Sequence, residues 1–96
     1  MTLGEIAAAV HGVVRDADPS TVVSGGVEYD SRLVGPGGLF LALPGERVDG
    51  HDFARAAIEA GAVAVVASSP VDVPRIEVAD GLAAITALAT AVARRL

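Results

Sequence analysis

Apolar residues recur at helical spacing from the start of the chain: Leu3, Ile6, Ala7 and Val10 fall three and four apart. Thr2 stands just before them and Glu5 three residues further on, the reciprocal pair that opens a helix, while Gly12 sits where one would stop. This pattern predicts a short amphipathic helix over residues 3–11, a short strand at Val13-Val14, and a polar turn from Asp16 to Ser20. Thr21 to Arg32 is rich in β-branched residues and partly alternating, but Gly25-Gly26 interrupts it. A hairpin turning at the glycine pair and one strand bulged there both fit, and the shortness of the flanking halves favours the bulged strand. Gly35-Pro36-Gly37-Gly38 is a loop.

The second half reads more clearly. Leu39 to Leu43 is a continuous apolar run closed by Pro44-Gly45, the signature of a buried strand. A helix begins near His51, with Phe53 over Ala57 and Ala54 over Ile58, and Gly61 ends it. Ala62 to Ala67 is apolar without alternation, as in a strand covered on both faces, and Ser68-Ser69-Pro70 stops it. Arg75 to Val78 is a short alternating strand. Asp80 then caps a last helix in which Leu82, Ile85, Ala89, Val92 and Leu96 line one face. Strand, helix and strand between residues 39 and 67 predict a parallel βαβ pair. The expected architecture is α/β: a small mixed β-sheet flanked by helices, in one domain over residues 1–96.

Composition narrows the function. Apolar residues make up 52 % of the chain but aromatics only 3 %, so nineteen alanines and fifteen valines must build thin, closely spaced layers. Twelve acids against seven bases leave a net charge of −5, the wrong sign for nucleic acid or an anionic membrane. Cysteine is absent, which excludes disulfides and thiolate chemistry; lysine is absent too, which excludes a phosphate-binding Gly-Lys-Ser/Thr loop and Schiff-base chemistry. Gly35 to Phe40 fails the dinucleotide-binding pattern because Phe40 stands at the third glycine. No apolar run approaches the ~20 residues of a membrane span. Met1 to Glu5 carries no basic lead into an apolar stretch, so a soluble cytoplasmic protein is expected.

Three polar clusters interrupt the aliphatic background. Tyr29-Asp30-Ser31-Arg32 closes a strand and offers a guanidinium fork and a hydroxyl; Asp30 and Arg32 pairing structurally while Ser31 caps a turn is the other reading. Gly45 to Asp52 follows the apolar strand 39–43 and leads into a helix, the usual ligand position in α/β folds. Asp49 and Asp52 can equally serve as helix caps with His51 structural, and with His51 they lie too close in sequence for a good metal set. Gly35 to Gly38 can present N–H groups to a phosphate or simply make a tight connection.

The order and spacing of these clusters carry more than any one of them. Asp30-Ser31-Arg32, Pro36-Gly37-Gly38-Leu39-Phe40-Leu41-Ala42-Leu43, Gly45-Glu46-Arg47-x-Asp49-Gly50-His51-Asp52-Phe53, and then Ala57 and Gly61-Ala62, together resemble the N-terminal domain of the Mur ligases. These are ATP-dependent cytoplasmic enzymes that build the peptidoglycan stem peptide. Val78-Ala79-Asp80-x-Leu82-x-Ala84-Ile85 is similar to the strand and helix that lead out of that domain, so residues 80–96 are expected to point toward a central ATPase domain. The Gly-Glu-Arg form resembles the member that adds D-alanyl-D-alanine; the member that adds the third stem residue, or a non-catalytic interaction module with the same fold, is the alternative. The resemblance implies that this domain holds the UDP end of a UDP-N-acetylmuramoyl peptide through Tyr29, Ser31 and Arg32 and through Glu46, Arg47 and Val48. Tyr29 departs from the aliphatic or small residue common at its place. The resemblance further implies that ATP and Mg²⁺ belong to the central and C-terminal domains of the parent ligase. The chain alone is expected to carry no catalytic residue and no metal.

Overall fold

The computed structural model describes residues 1–42 and 50–95. Leu43 and Leu96, assigned above to a strand and a helix, lie outside them, as do Glu46, Arg47 and Val48.

Helix α1 spans Leu3–Val10 and opens as the capping pair predicts: the Thr2 hydroxyl accepts the Glu5 N–H at 3.1 Å and the Glu5 carboxylate accepts the Thr2 N–H at 2.9 Å. It stops one residue earlier than Gly12 suggested, because His11 takes the left-handed conformation (φ 56°) and Gly12 follows by donating to the Ala7 carbonyl. Strands β1 (Val13–Arg15), β2 (Val27–Glu28), β3 (Leu39–Ala42), β4 (Ala64–Ala67) and β5 (Arg75–Glu77) form one sheet in the order β1-β5-β4-β3-β2. β2, β3, β4 and β5 run parallel, and only β1 pairs antiparallel, with β5. The mixed sheet is the expected one.

Between β3 and β4 lie a 3₁₀ turn over Gly50–Phe53 and helix α2 over Ala54–Glu59; helix α3 over Gly81–Arg95 closes the chain. Alternation in the strands sorts side chains into two cores. Leu39, Leu41, Ala64, Val66 and Ile76 face α1 and α3, where they meet Leu3, Ile6, Ala84 and Leu88. Phe40, Ala42, Val65 and Ala67 face α2, where they meet Ala54 and Ala57. Both faces of β3 and β4 are therefore buried, which is why their sequences are apolar throughout.

Two expectations need correction. The run 21–32 forms neither a hairpin nor a continuous bulged strand. Val22 makes an isolated bridge to Thr2, and only Val27–Glu28 joins the sheet, in register with Leu39 and Phe40. The glycine pair lies between these two pairings, where Gly25 N–H reaches the Gly37 carbonyl and Gly26 carbonyl accepts Leu39 N–H. The stripe on α3 is also rotated. Ala84 and Leu88 are buried and Ile85 packs partly against them, but Leu82 is 67 % exposed and Val92 40 %. Asp80 fixes the start of the helix by accepting the N–H groups of Leu82 and Ala83. From that start Ala84 and Leu88 come inward toward α1, and Leu82 and Val92 stay outside.

Candidate functional site

Parallel strands leave a sheet on the same side, and the register makes that concrete here. Glu28 stands opposite Phe40 and Ala42 opposite Ala67, so the chain departs at Tyr29, after Ala42 and at Ser68 along one edge. This C-terminal edge is where open α/β sheets bind ligands.

The first departure is a tight turn built by Asp30. Its Oδ1 accepts the Arg32 N–H at 3.0 Å, its main-chain carbonyl accepts the Leu33 N–H, and the Arg32 guanidinium grips both carboxylate oxygens, Nε to Oδ1 at 3.0 Å and Nη2 to Oδ2 at 2.8 Å. The guanidinium and the backbone N–H hold the Asp30 carboxyl down at about 2, from an ordinary value of 3.8, and the same pairing raises Arg32. Arg32 is thus engaged as a brace, although 86 % of its side chain is exposed. The turn presents Ser31, half-buried, between Asp30 and Arg32, and leaves Tyr29 72 % exposed beside them.

The pairing has a pH signature. A carboxyl depressed in the folded state contributes its full share above its unfolded value near 4 and loses it as pH falls toward the folded one. The Asp30 brace is therefore expected to be intact at pH 4 and to open as pH falls through about 2. Carboxyl-carbon NMR titration checks this: a midpoint near 4 means the brace does not form in solution.

The second departure leads through residues 43–49 to the 3₁₀ turn, where His51 makes a contact that the sequence did not reveal. Its Nε2 accepts the N–H groups of both Ser68 and Ser69, each at 3.1 Å, tying the start of the turn to the end of β4. The structural role expected for His51 is what the geometry shows. Ser68, Ser69, Pro70, Arg75 and Glu77 line a hollow of about 250 Å³ at this end of the sheet. Arg75 is already committed there, to Asp16 at 2.8 Å and Glu77 at 3.0 Å.

The glycine loop is a structural hub. Gly37 N–H donates to the Gly61 carbonyl, Gly38 N–H to that of Gly35, and Gly38 carbonyl accepts Val63 N–H. With the Gly37 and Gly38 N–H groups engaged and no lysine in the chain, the loop does not fit the triphosphate of ATP. Among the described residues no group of three or more His, Asp or Glu side chains gathers as a metal site, and no helix is long and apolar enough to cross a membrane.

Comparison with known proteins agrees with this fold. The Mur ligase family, catalytic domain, matches residues 24–93. The UDP-N-acetylmuramoyl-tripeptide–D-alanyl-D-alanine ligase of Mycobacterium tuberculosis is 46 % identical over 121 residues, covering 100 % of this chain and 24 % of that protein. The UDP-N-acetylmuramoyl-L-alanyl-D-glutamate–2,6-diaminopimelate ligase of Geobacillus thermodenitrificans is 48 % identical over 81 residues, covering 82 % of this chain and 16 % of its own. A crystal structure of MurF from Acinetobacter baumannii superimposes with a TM-score of 0.80 at 31 % identity, over 91 % of this chain and 20 % of that one. The chain thus spans about a quarter of the length of the relatives it matches from end to end.

Proposed function

The chain belongs to the Mur ligase family, and on that premise we propose that its 96 residues are the domain that holds the UDP end of a UDP-N-acetylmuramoyl peptide. The parent enzyme in this reading is the ATP-dependent cytoplasmic ligase that adds D-alanyl-D-alanine to the tripeptide. The observation that carries it is the match along the whole chain to ligases of that name, at 46 % identity. The diaminopimelate-adding ligases match over 68 % to 93 % of the chain, short of its full length, and supply the second reading.

Within the domain, Tyr29, Ser31 and Arg32 contribute from the turn after β2, and Glu46, Arg47 and Val48 from the segment after β3. Chemistry supports the division. A uracil needs an apolar surface and a few neutral hydrogen bonds, which Tyr29 and Ser31 offer in kind. A diphosphate needs a cation, and Arg47 is the better candidate because Asp30 already engages Arg32. ATP and Mg²⁺ are left to the rest of the parent ligase, with α3 as the helix leading toward a central domain.

The reading predicts a division of labour that the purified chain can test. Titration of the ¹⁵N-labelled protein with UDP should shift the amides of Tyr29 to Arg32 with weak affinity, since a net charge of −5 opposes an anionic ligand. ATP should shift nothing and release no phosphate, with or without the muramoyl precursor, because such phosphoryl transfer needs a lysine-bearing phosphate loop and the sequence holds no lysine. Precursor-stimulated ATP hydrolysis, or UDP shifts that avoid the 29–32 turn, would overturn it.

A further inference from the structure

Helix α3 differs from the other two helices in what it shows to solvent. Exposed positions of α2 carry Arg55 and Glu59 and those of α1 carry Glu5, as is usual for a helix lying on a sheet. α3 has no charged side chain between Asp80 and Arg94. Its buried stripe, Ala84 and Leu88, packs with α1, and the opposite face is Leu82, Thr86, Ala89 and Ala93, all exposed. Their steps of four, three and four residues are those of a seam that one helix offers to another element. The hydroxyls on that side are already engaged: Thr86 Oγ1 donates to the Leu82 carbonyl at 3.2 Å and Thr90 Oγ1 to the Thr86 carbonyl at 3.0 Å. The face can therefore be covered without stranding a donor. Val92, three residues on from Ala89, carries this neutral surface into an apolar hollow of about 240 Å³, whose walls include Met1, Val23, Val27 and Leu88.

The direction of the helix selects what covers it. α3 starts just beyond β5, whose Glu77 stands in register with Ala67, and so begins at the edge that carries the candidate site. Towards its other end, Leu88 and Val92 share the hollow with Val27, the first residue of β2, at the opposite edge. Fifteen residues of helix bridge about 22 Å between the two. The chain covers only 24 % of the relatives that match it from end to end. On the function proposed above, the rest of the ligase follows α3 and acts on the peptide end of a precursor whose UDP end lies at the first edge. A domain that departs from the opposite edge reaches that precursor by lying back along α3. Its tether keeps it at high local concentration, whereas two copies of this chain, each with a net charge of −5, repel one another.

We propose that the outer face of α3, Leu82 to Ala93 with the hollow at Val92, is the surface on which the following domain of the parent ligase packs. The proposal rests on the reading of this chain as the first domain of a longer ligase, and its test separates the two. Leu82→Cys and Ala89→Cys, with Ala56→Cys on the outer side of α2 as reference, are made both in the 96-residue chain and in the full-length ligase. Labelling of each thiol by N-ethylmaleimide is timed by peptide mass spectrometry. All three positions are exposed, so melting temperatures should stay within about a degree or two of wild type; if one α3 variant is unfolded, the other decides. In the short chain all three thiols should react freely. In the full-length ligase Leu82→Cys and Ala89→Cys should react about tenfold or more slowly, because the core of an interface packs like an interior, while Ala56→Cys keeps its rate. Unchanged rates at positions 82 and 89, in a ligase that takes the UDP-muramoyl precursor, overturn the docking surface and leave the function standing. Equal slowing at Ala56→Cys also overturns it, since the effect is then not confined to α3. Protection that is present in the short chain and rises with its concentration overturns it in favour of a second copy. Slowing at 82 and 89 alone, in a ligase that does not bind the precursor, supports the docking surface and defeats the function.

Discussion

Gly61→Val is expected to destabilise the chain by about 3 kcal/mol or more, through backbone strain and overpacking together. Gly61 holds φ at +115°, a region closed to β-branched residues, and a Cβ there would lie 2.8 Å from Pro36 Cα and 3.0 Å from Pro36 N. Neither partner can yield by rotating a side chain, because both are backbone. The Gly61 carbonyl also accepts the Gly37 N–H at 3.0 Å, and Gly37 is itself left-handed at φ 76°. The end of α2 and the β2–β3 connection are thus seated on one another, so the strain disturbs the connection that carries the Asp30 turn. For a domain of this size the melting temperature should fall by roughly 12 °C or more. Gly35→Ala is the control: a Cβ at Gly35 meets nothing within 4 Å, and its melting temperature should stay within a degree or two of wild type. Equal melting temperatures for Gly61→Val and wild type would show that this interlock does not hold the fold.

The elements legible in the sequence are those with one dominant local cause. Thr2 and Glu5 announced α1 because a capping pair is a short-range device, and the unbroken apolar runs at 39–43 and 62–67 announced β3 and β4 because both faces of those strands are covered. Where causes compete, sequence alone misled. Alanine fills so much of α3 that several stripes are nearly equivalent in apolar character. The choice among them fell to Asp80, which sets the helix start and so turns Ala84 and Leu88 inward. The run 21–32 looked like one strand because its composition suits one. Its partners, Thr2 and Leu39–Phe40, lie far apart in sequence and divide it.

The candidate site was legible to a different degree. Asp30 and Arg32, two residues apart, could be read as a brace from spacing alone, and the bidentate pair is what forms. The grip of His51 on Ser68 and Ser69 had no such signal, since backbone N–H groups leave no mark in a sequence and the partners are 17 and 18 residues away.

Arg47→Ala in the full-length parent ligase is expected to raise KM for the UDP-muramoyl substrate by about 10- to 150-fold, the equivalent of one charge-assisted hydrogen bond of roughly 1.5–3 kcal/mol. Ser31→Ala removes a neutral hydrogen bond and should raise the same KM by about 2- to 12-fold. In the proposed reading the two positions would supply the two kinds of contact that a nucleoside diphosphate requires, a cation for the phosphates and a hydroxyl for the neutral part. On the proposed function, contacts of this domain act on binding of the substrate rather than on the bond being made. The expected pattern is a raised KM for this substrate alone, with kcat and the KM values for ATP and the dipeptide little changed, as for an interaction equally strong in ground and transition states. His51→Ala removes a contact to the Ser68 and Ser69 amides rather than to the ligand, and should have a smaller effect than Arg47→Ala. Steady-state kinetics on the three variants, each with native thermal stability, decides the matter. If His51→Ala raises KM while Arg47→Ala and Ser31→Ala leave it unchanged, the ligand sits against the 3₁₀ turn and the end of β4 instead of the Asp30 turn and the 46–48 segment.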